Sequence, residues 1–340
     1  MKAWFGALAL AVGMPAAAQG SGAATRLFSS DVPIRITIRG PISSLVSDRT
    51  DNARAGTLTL AGTGEAMPIT LSARGLTRRR DDICAFPPLR VDFNRVPSPG
   101  SLFERQNRLK LVTHCRASAD FQQKILLEYA AYRLFNLLTP LSYRARLATI
   151  DYVDDSGRPY VSRVGFFLED IDDVARRNGM VRARTADRVA ASQLDARAAA
   201  RFALFNYMIS NLDWSMRAGP AGEGCCHNGR LLTASGTPNA RLVPVPYDFD
   251  YSGLVDAPYA TPPEGLKVNN VRQRVYRGYC IHTAEARAFA AELSARRAEI
   301  GGVLGTIPGL DERSRKRASA YLDGFFKDLD SGKPLKSCVA

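Results

Sequence analysis

The period of the apolar residues changes along this chain, and that change limits its possible folds more than any single motif. Between Asp31 and Phe93 apolar side chains recur at every second position: Ile34, Ile36 and Ile38, then Leu58 and Leu60, Ile69 and Leu71, and Leu89, Val91 and Phe93. Alternate residues share one face of a strand, so each run predicts a half-buried strand, with Gly, Pro and Asn/Asp clusters as turns between them. Leu109-Lys110-Leu111-Val112 reads as a further strand. From Phe121 to Leu138 the spacing turns helical, with Ile125, Tyr129, Tyr132 and Leu134 as the buried face. Arg146–Val153 and Tyr160–Leu168, joined by Asp154-Asp155-Ser156-Gly157, predict a hairpin. Beyond it the helical period dominates: Thr185 to Asn211, then Ala284–Ile300 and Asp311–Leu329. Two short strands, Arg230–Thr233 and Arg241–Val245, interrupt it. The class expected is α+β, with a β-rich region over 19–168 and a mainly helical one over 169–340.

The first 18 residues stand apart. Lys2, the apolar run Ala3–Met14 and the small residues Ala16-Ala17-Ala18 have the pattern of a secretory signal peptide, too short to span a bilayer. A mature chain starting near Gln19 is expected to be periplasmic or secreted, with no transmembrane segment. Export changes the meaning of the six cysteines, which in an oxidising compartment favour disulfides over metal thiolates. Cys84 and Cys115 border strands of one region and are expected to pair, while Cys280 is expected to take Cys225 or Cys226, with Cys338 free to tie down the tail. Cys225-Cys226-His227 lacks the C-x-x-C spacing of a zinc site. Loss of the leader lowers the net charge only from +13 to +12, since Lys2 is its one charged residue. No nucleic-acid motif accompanies this basic balance, which suits an acidic substrate or an ordinary basic surface.

The chemistry-bearing residues lie in the second half: Asn211-Leu212-Asp213-Trp214, then His227-Asn228, then Pro246-Tyr247-Asp248-Phe249-Asp250. Phe202, Phe205, Ile209 and Leu212 lie on one helix face that would deliver Asp213 at its C-terminal end, and the strand Arg241–Val245 ends just before Asp248. Carboxylate and amide oxygens are hard donors that suit Mg²⁺ or Mn²⁺. Asp248 and Asp250, alternate residues, point the same way and repel unless a cation or proton lies between them.

The order Asp, Asn, strand, Asp-Phe-Asp resembles the catalytic half of the protein-kinase-like fold, most closely the bacterial spore-coat CotH kinases and more distantly the HipA kinases. The resemblance covers roughly residues 70–255. It implies a two-lobed fold with a β-rich N-terminal lobe and a mainly helical C-terminal lobe, and transfer of phosphate from ATP to a protein or small-molecule hydroxyl. By it Asp213 is the catalytic Asp and Asn228 and Asp248 hold the metal. Lys110 contacts the phosphates and is held by Glu128 from the following helix. If Asn228 does not return to the site, Asp250 becomes the second metal ligand. Two departures are plain: no G-x-G-x-x-G loop is present (Ser98-Pro99-Gly100-Ser101 offers one glycine), and 14 residues separate Asp213 from Asn228 where kinases have about four. These departures support an alternative, a catalytically inactive kinase-like binding or envelope-structural protein. A metal-dependent hydrolase using Asp213, Asp248 and Asp250 ranks third. Arg272, Arg274 and Arg277 are read as exposed, with the capacity to hold an acidic group.

Overall fold

The structure is a computed structural model that describes residues 22–340 except 223, 238 and 239; the expected signal segment at 1–18 lies outside the described residues. The alternating runs form β1 (Ile34–Gly40), β2 (Arg54–Leu60), β3 (Ala66–Ala73), β4 (Leu89–Phe93), β5 (Arg108–Val112), β6 (Ala145–Asp154) and β7 (Pro159–Leu168). A short helix, α1 (Ile42–Asp48), follows β1, and the long helix α2 (Ala119–Leu138) separates β5 from β6. The strands close into a barrel in the order β1-β2-β3-β4-β5-β7-β6. Closure comes from a parallel pairing of β1 with β6, in register from Ile34↔Ala148 to Gly40↔Asp154, while the other neighbours run antiparallel. Inward residues from all seven strands, among them Ile36, Leu58, Ile69, Val91, Leu109, Ile150 and Phe167, fill the interior with Phe103. At Gly165 a Cβ would stand 2.5 Å from the Val112 carbonyl oxygen, so only glycine lets β7 approach β5 there.

The second half holds α3 (Ile171–Arg177), β8 (Met180–Arg182), α4 (Ala196–Ile209), β9 (Gly229–Ala234), β10 (Val243–Pro246), α5 (Thr283–Ala295), α6 (Arg297–Gly302) and α7 (Glu312–Asp330). Strands β10, β9 and β8 make a small antiparallel sheet. The helix expected from Thr185 starts only at α4. Asp195 caps it there by accepting from the Ala198 amide, and the chain before it bonds Leu242 and Arg217 instead.

This architecture overturns the two-lobed kinase fold. The β-rich half is a closed seven-stranded mixed barrel, and the second half carries its own sheet. Helix α2 does not belong to a separate lobe either. Its Tyr129, Tyr132 and Phe135, with Val112, Leu147 and Phe166 of the barrel strands, share one continuous apolar core with α4, α5 and α7. Burying that much shared surface joins the halves into one body.

Three disulfides are present. Cys84–Cys115 is as expected. The expected partner of Cys280 is wrong: it bonds Cys338, and Cys225 bonds its neighbour Cys226. The first of these pins the C-terminal tail, where the Cys280 amide also donates to the Val339 carbonyl at 2.8 Å. Among the described residues no helix is long and apolar enough to cross a membrane.

Candidate functional site

Asp213 follows α4, whose last turn is closed by Ser210 in the left-handed conformation. The segment after it is fixed by two groups. The Trp214 indole donates to the Asn211 carbonyl at 2.9 Å, and Arg277 lies over the Trp214 ring while donating to the Leu212 and Trp214 carbonyls. The chain then makes its long excursion and returns beside its start, because the Ser215 amide bonds the His227 carbonyl at 2.9 Å. That bridge answers the spacing problem of the sequence: the Asn228 amide nitrogen donates to the Asp213 carboxylate at 2.9 Å and to its carbonyl at 2.7 Å. His227 Nε2 lies 2.7 Å from the other Asp213 oxygen. The sequence assigns His227 no role of its own, and the one clue to it is its place directly before Asn228.

Asp248 leaves β10 with φ 67°, a conformation rarely adopted by residues other than glycine, and its amide donates to the Tyr132 hydroxyl at 2.9 Å. Two residues on, Asp250 is buried, accepts from the Tyr259 hydroxyl at 3.0 Å and lies 3.9 Å from the Arg78 guanidinium. Burial, and then repulsion from Asp248, pushes the Asp250 carboxyl up to about 6. Asp213, Asn228, Asp248 and Asp250 thus line one cavity of about 560 Å³, together with His227, Arg74, Arg78 and Arg230. Among the described residues no three His, Cys, Asp or Glu side chains converge on one point as a metal cage would. A hard cation at this place would rest on two carboxylates, an amide oxygen and non-protein ligands.

The expected Lys110–Glu128 pair does not form. Glu128 is 1% exposed and pairs at 3.5 Å with Arg78, which stands in a short turn after β3 and also donates to the Thr113 carbonyl at 2.7 Å. Burial, reinforced by Asp250 and opposed by Arg78, holds the Glu128 carboxyl well above the usual carboxylate range. Among the described residues, one Glu128 oxygen and the Arg78 Nε find no hydrogen-bond partner. Lys110 projects from β5 over the Tyr247 ring, 4.6 Å from its centre, and the Arg230 guanidinium lies 4.9 Å from the same centre. Burial, and then the nearby Arg74, lowers Lys110 to about 8. Lys124, one turn before Glu128 on α2, does not pair with it either, since its ammonium donates to the Asp256 carbonyl at 2.6 Å.

Arg272, Arg274 and Arg277 are not free on the surface. Arg272 pairs with Asp256 at 3.1 Å, Arg274 stacks on Tyr321 and bonds the Met208 carbonyl, and Arg277 braces Trp214.

A scan against known protein families finds no family model that matches the chain, and no curated protein matches it.

Proposed function

We propose that this chain is an exported phosphotransferase that uses a divalent cation to move phosphate from ATP to a hydroxyl. One observation carries this reading: a single cavity gathers the carboxylates of Asp213, Asp248 and Asp250 with the cations of Arg74, Arg78 and Arg230. A ligand that is itself anionic and also bound to a cation satisfies both sets of charges, and a metal–triphosphate complex is such a ligand. The predicted leader and the three disulfides support export.

The donor set fits Mg²⁺ or Mn²⁺. Asp248 destabilises the charged form of Asp250, and Asn228 commits its nitrogen to Asp213, leaving its carbonyl oxygen for a ligand. When bound, the cation would offset phosphate charge and favour the leaving oxygen. Arg74, Arg230 and Lys110 bind and orient the phosphates. Asp213 accepts the proton of the attacking hydroxyl, and His227 and Asn228 fix its carboxylate in one orientation. The chemistry uses the residue order that resembles the kinase-like families, carried on a different scaffold.

Calorimetric titration with ATP plus Mg²⁺ or Mn²⁺ tests the reading. Asp248→Asn is expected to abolish metal-dependent binding. Asp213→Asn keeps binding and loses transfer or ATP hydrolysis by about a hundredfold or more, as for a positioned base. His227→Gln keeps binding with a smaller loss. Wild-type protein that binds ATP with neither metal refutes the proposal and leaves a binding or structural protein in its place.

A further inference from the structure

Beyond the reaction cavity, one surface of the small sheet is populated by arginines without acidic partners. Several arginines of this chain are neutralised locally; Arg35, Arg54, Arg108, Arg133, Arg177 and Arg297, for example, each pair with an Asp or Glu. Arg182, Arg184, Arg188 and Arg241 are exposed, and none of them, nor Arg230, forms an ion pair among the described residues. They line two adjoining hollows of about 690 and 650 Å³ that share Arg184 and Thr185. The outer hollow adds the hydroxyls of Thr185, Ser192, Thr233 and Thr237 to Arg184, Arg188 and Arg241, and no carboxylate lines it among the described residues. The inner hollow holds Arg182, Arg184 and Arg230 against one acid among the described residues, Asp172. Arg230 also lines the reaction cavity. A track of guanidinium groups therefore leads along β8 and β9 to the cavity wall.

Gathering like charges without counter-charges is unfavourable, and it is rewarded only when an anion docks. We infer that this track binds an extended acidic peptide, whose carboxylates the arginines and hydroxyls engage, with the chain running towards the reaction cavity. Peptide is favoured over anionic polysaccharide because no aromatic ring, the usual platform for a sugar face, lines either hollow among the described residues. It is favoured over a lipid surface because the site is concave. The proposed phosphotransfer gives the peptide its use, as acceptor, but the binding itself does not depend on that reading.

The test is fluorescence anisotropy with a labelled oligoglutamate peptide, in the absence of nucleotide and metal, so that a failure of the phosphotransfer reading leaves the result interpretable. Binding is expected at low salt, weakening strongly by about 0.5 M salt, with no binding of a neutral peptide of equal length. Arg184→Gln/Arg188→Gln should weaken it about tenfold, whereas Arg313→Gln/Arg315→Gln, the same charge change on the exposed face of α7, should not. Both substituted pairs are exposed, and circular dichroism verifies folding. An equal loss from the α7 variant reduces the effect to net charge and overturns the inference. It is overturned as well by no binding of oligoglutamate, or by tighter binding of a polyuronate or of phosphatidylglycerol vesicles.

Discussion

Replacing Arg78 with Met should damage this protein far more than replacing Lys110, although local sequence favours Lys110 as the structural cation. Arg78 and Glu128 are 7% and 1% exposed and stand 3.5 Å apart. When Glu128 is ionised, their attraction at an effective dielectric near 20 is about 5 kcal/mol, part of which offsets the cost of desolvating both ions. Arg78→Met leaves the carboxylate without its cation and the Thr113 carbonyl without its donor. Breaking a buried pair in this way typically costs about 3–5 kcal/mol. Glu128 can escape part of that by taking up a proton, because burial already favours its neutral form. The expected loss is therefore about 3 kcal/mol. The double variant Arg78→Met/Glu128→Leu should recover most of it, giving a coupling of about 2 kcal/mol. Lys110→Met should cost less than about 1 kcal/mol and show no coupling to Glu128, since Lys110 contacts Tyr247 and burial already disfavours its charge. Urea denaturation of the oxidised proteins at neutral pH measures all four quantities. A loss below about 1 kcal/mol for Arg78→Met, or a Lys110–Glu128 coupling as large as that for Arg78, refutes the assignment.

Two further outcomes follow from the site and the cysteines. Lys110 is lowered to about 8 by burial and by Arg74, so it carries its charge below that pH and loses it above. ATP affinity should therefore hold up to about pH 8 and fall beyond it; Lys110→Met should bind about tenfold more weakly and lack that fall, and a variant with the wild-type pH slope would show that Lys110 does not meet the phosphates. Tryptic mapping of unreduced protein should place Cys225 and Cys226 in one peptide that is two hydrogens lighter than after reduction; a Cys280 cross-link to that peptide would contradict the connectivity seen.

The strands were legible because alternation is local. Each run that predicts a strand between Ile34 and Leu168 is one, and the helix at Phe121–Leu138 is α2. Closure was not legible. It depends on β1 lying parallel to β6, a pairing across more than a hundred residues that leaves no trace in either strand's own pattern. The Arg78-Arg79-Arg80 run shows the same limit at the scale of one residue. As a charge run it reads as solvated, yet the short turn Thr77–Arg79 directs Arg78 inward while Arg80 stays exposed. Lys110, alternating correctly between apolar neighbours, met every local criterion for Glu128's partner and was displaced by a cation that comes from another turn. Asn228 is the reverse case. Its spacing from Asp213 argued against a shared site, and the Ser215–His227 bridge brings the two together regardless. The expected bond from Cys280 to Cys225 or Cys226 fails because six cysteines allow many pairings and their spacing selects none.

The backbone itself distinguishes this cavity from an ordinary surface hollow. Among the described residues seven other than glycine adopt positive φ, and three of them serve the site: Ser210, which closes the helix leading to Asp213, Asn228 at 46° and Asp248 at 67°. Holding such residues in the left-handed region costs on the order of 1 kcal/mol or more each, and persists only where the surroundings impose it. Here the surroundings are identifiable. Asp248 is held through the Tyr132 hydroxyl from α2, and Asn228 through its carbonyl, which accepts from the Tyr247 amide at 3.2 Å. Both holding residues are buried members of the core that joins barrel and helices. A fold under selection for stability alone has no reason to place Asp and Asn, with their oxygens gathered in one cavity, where glycine would be free of strain.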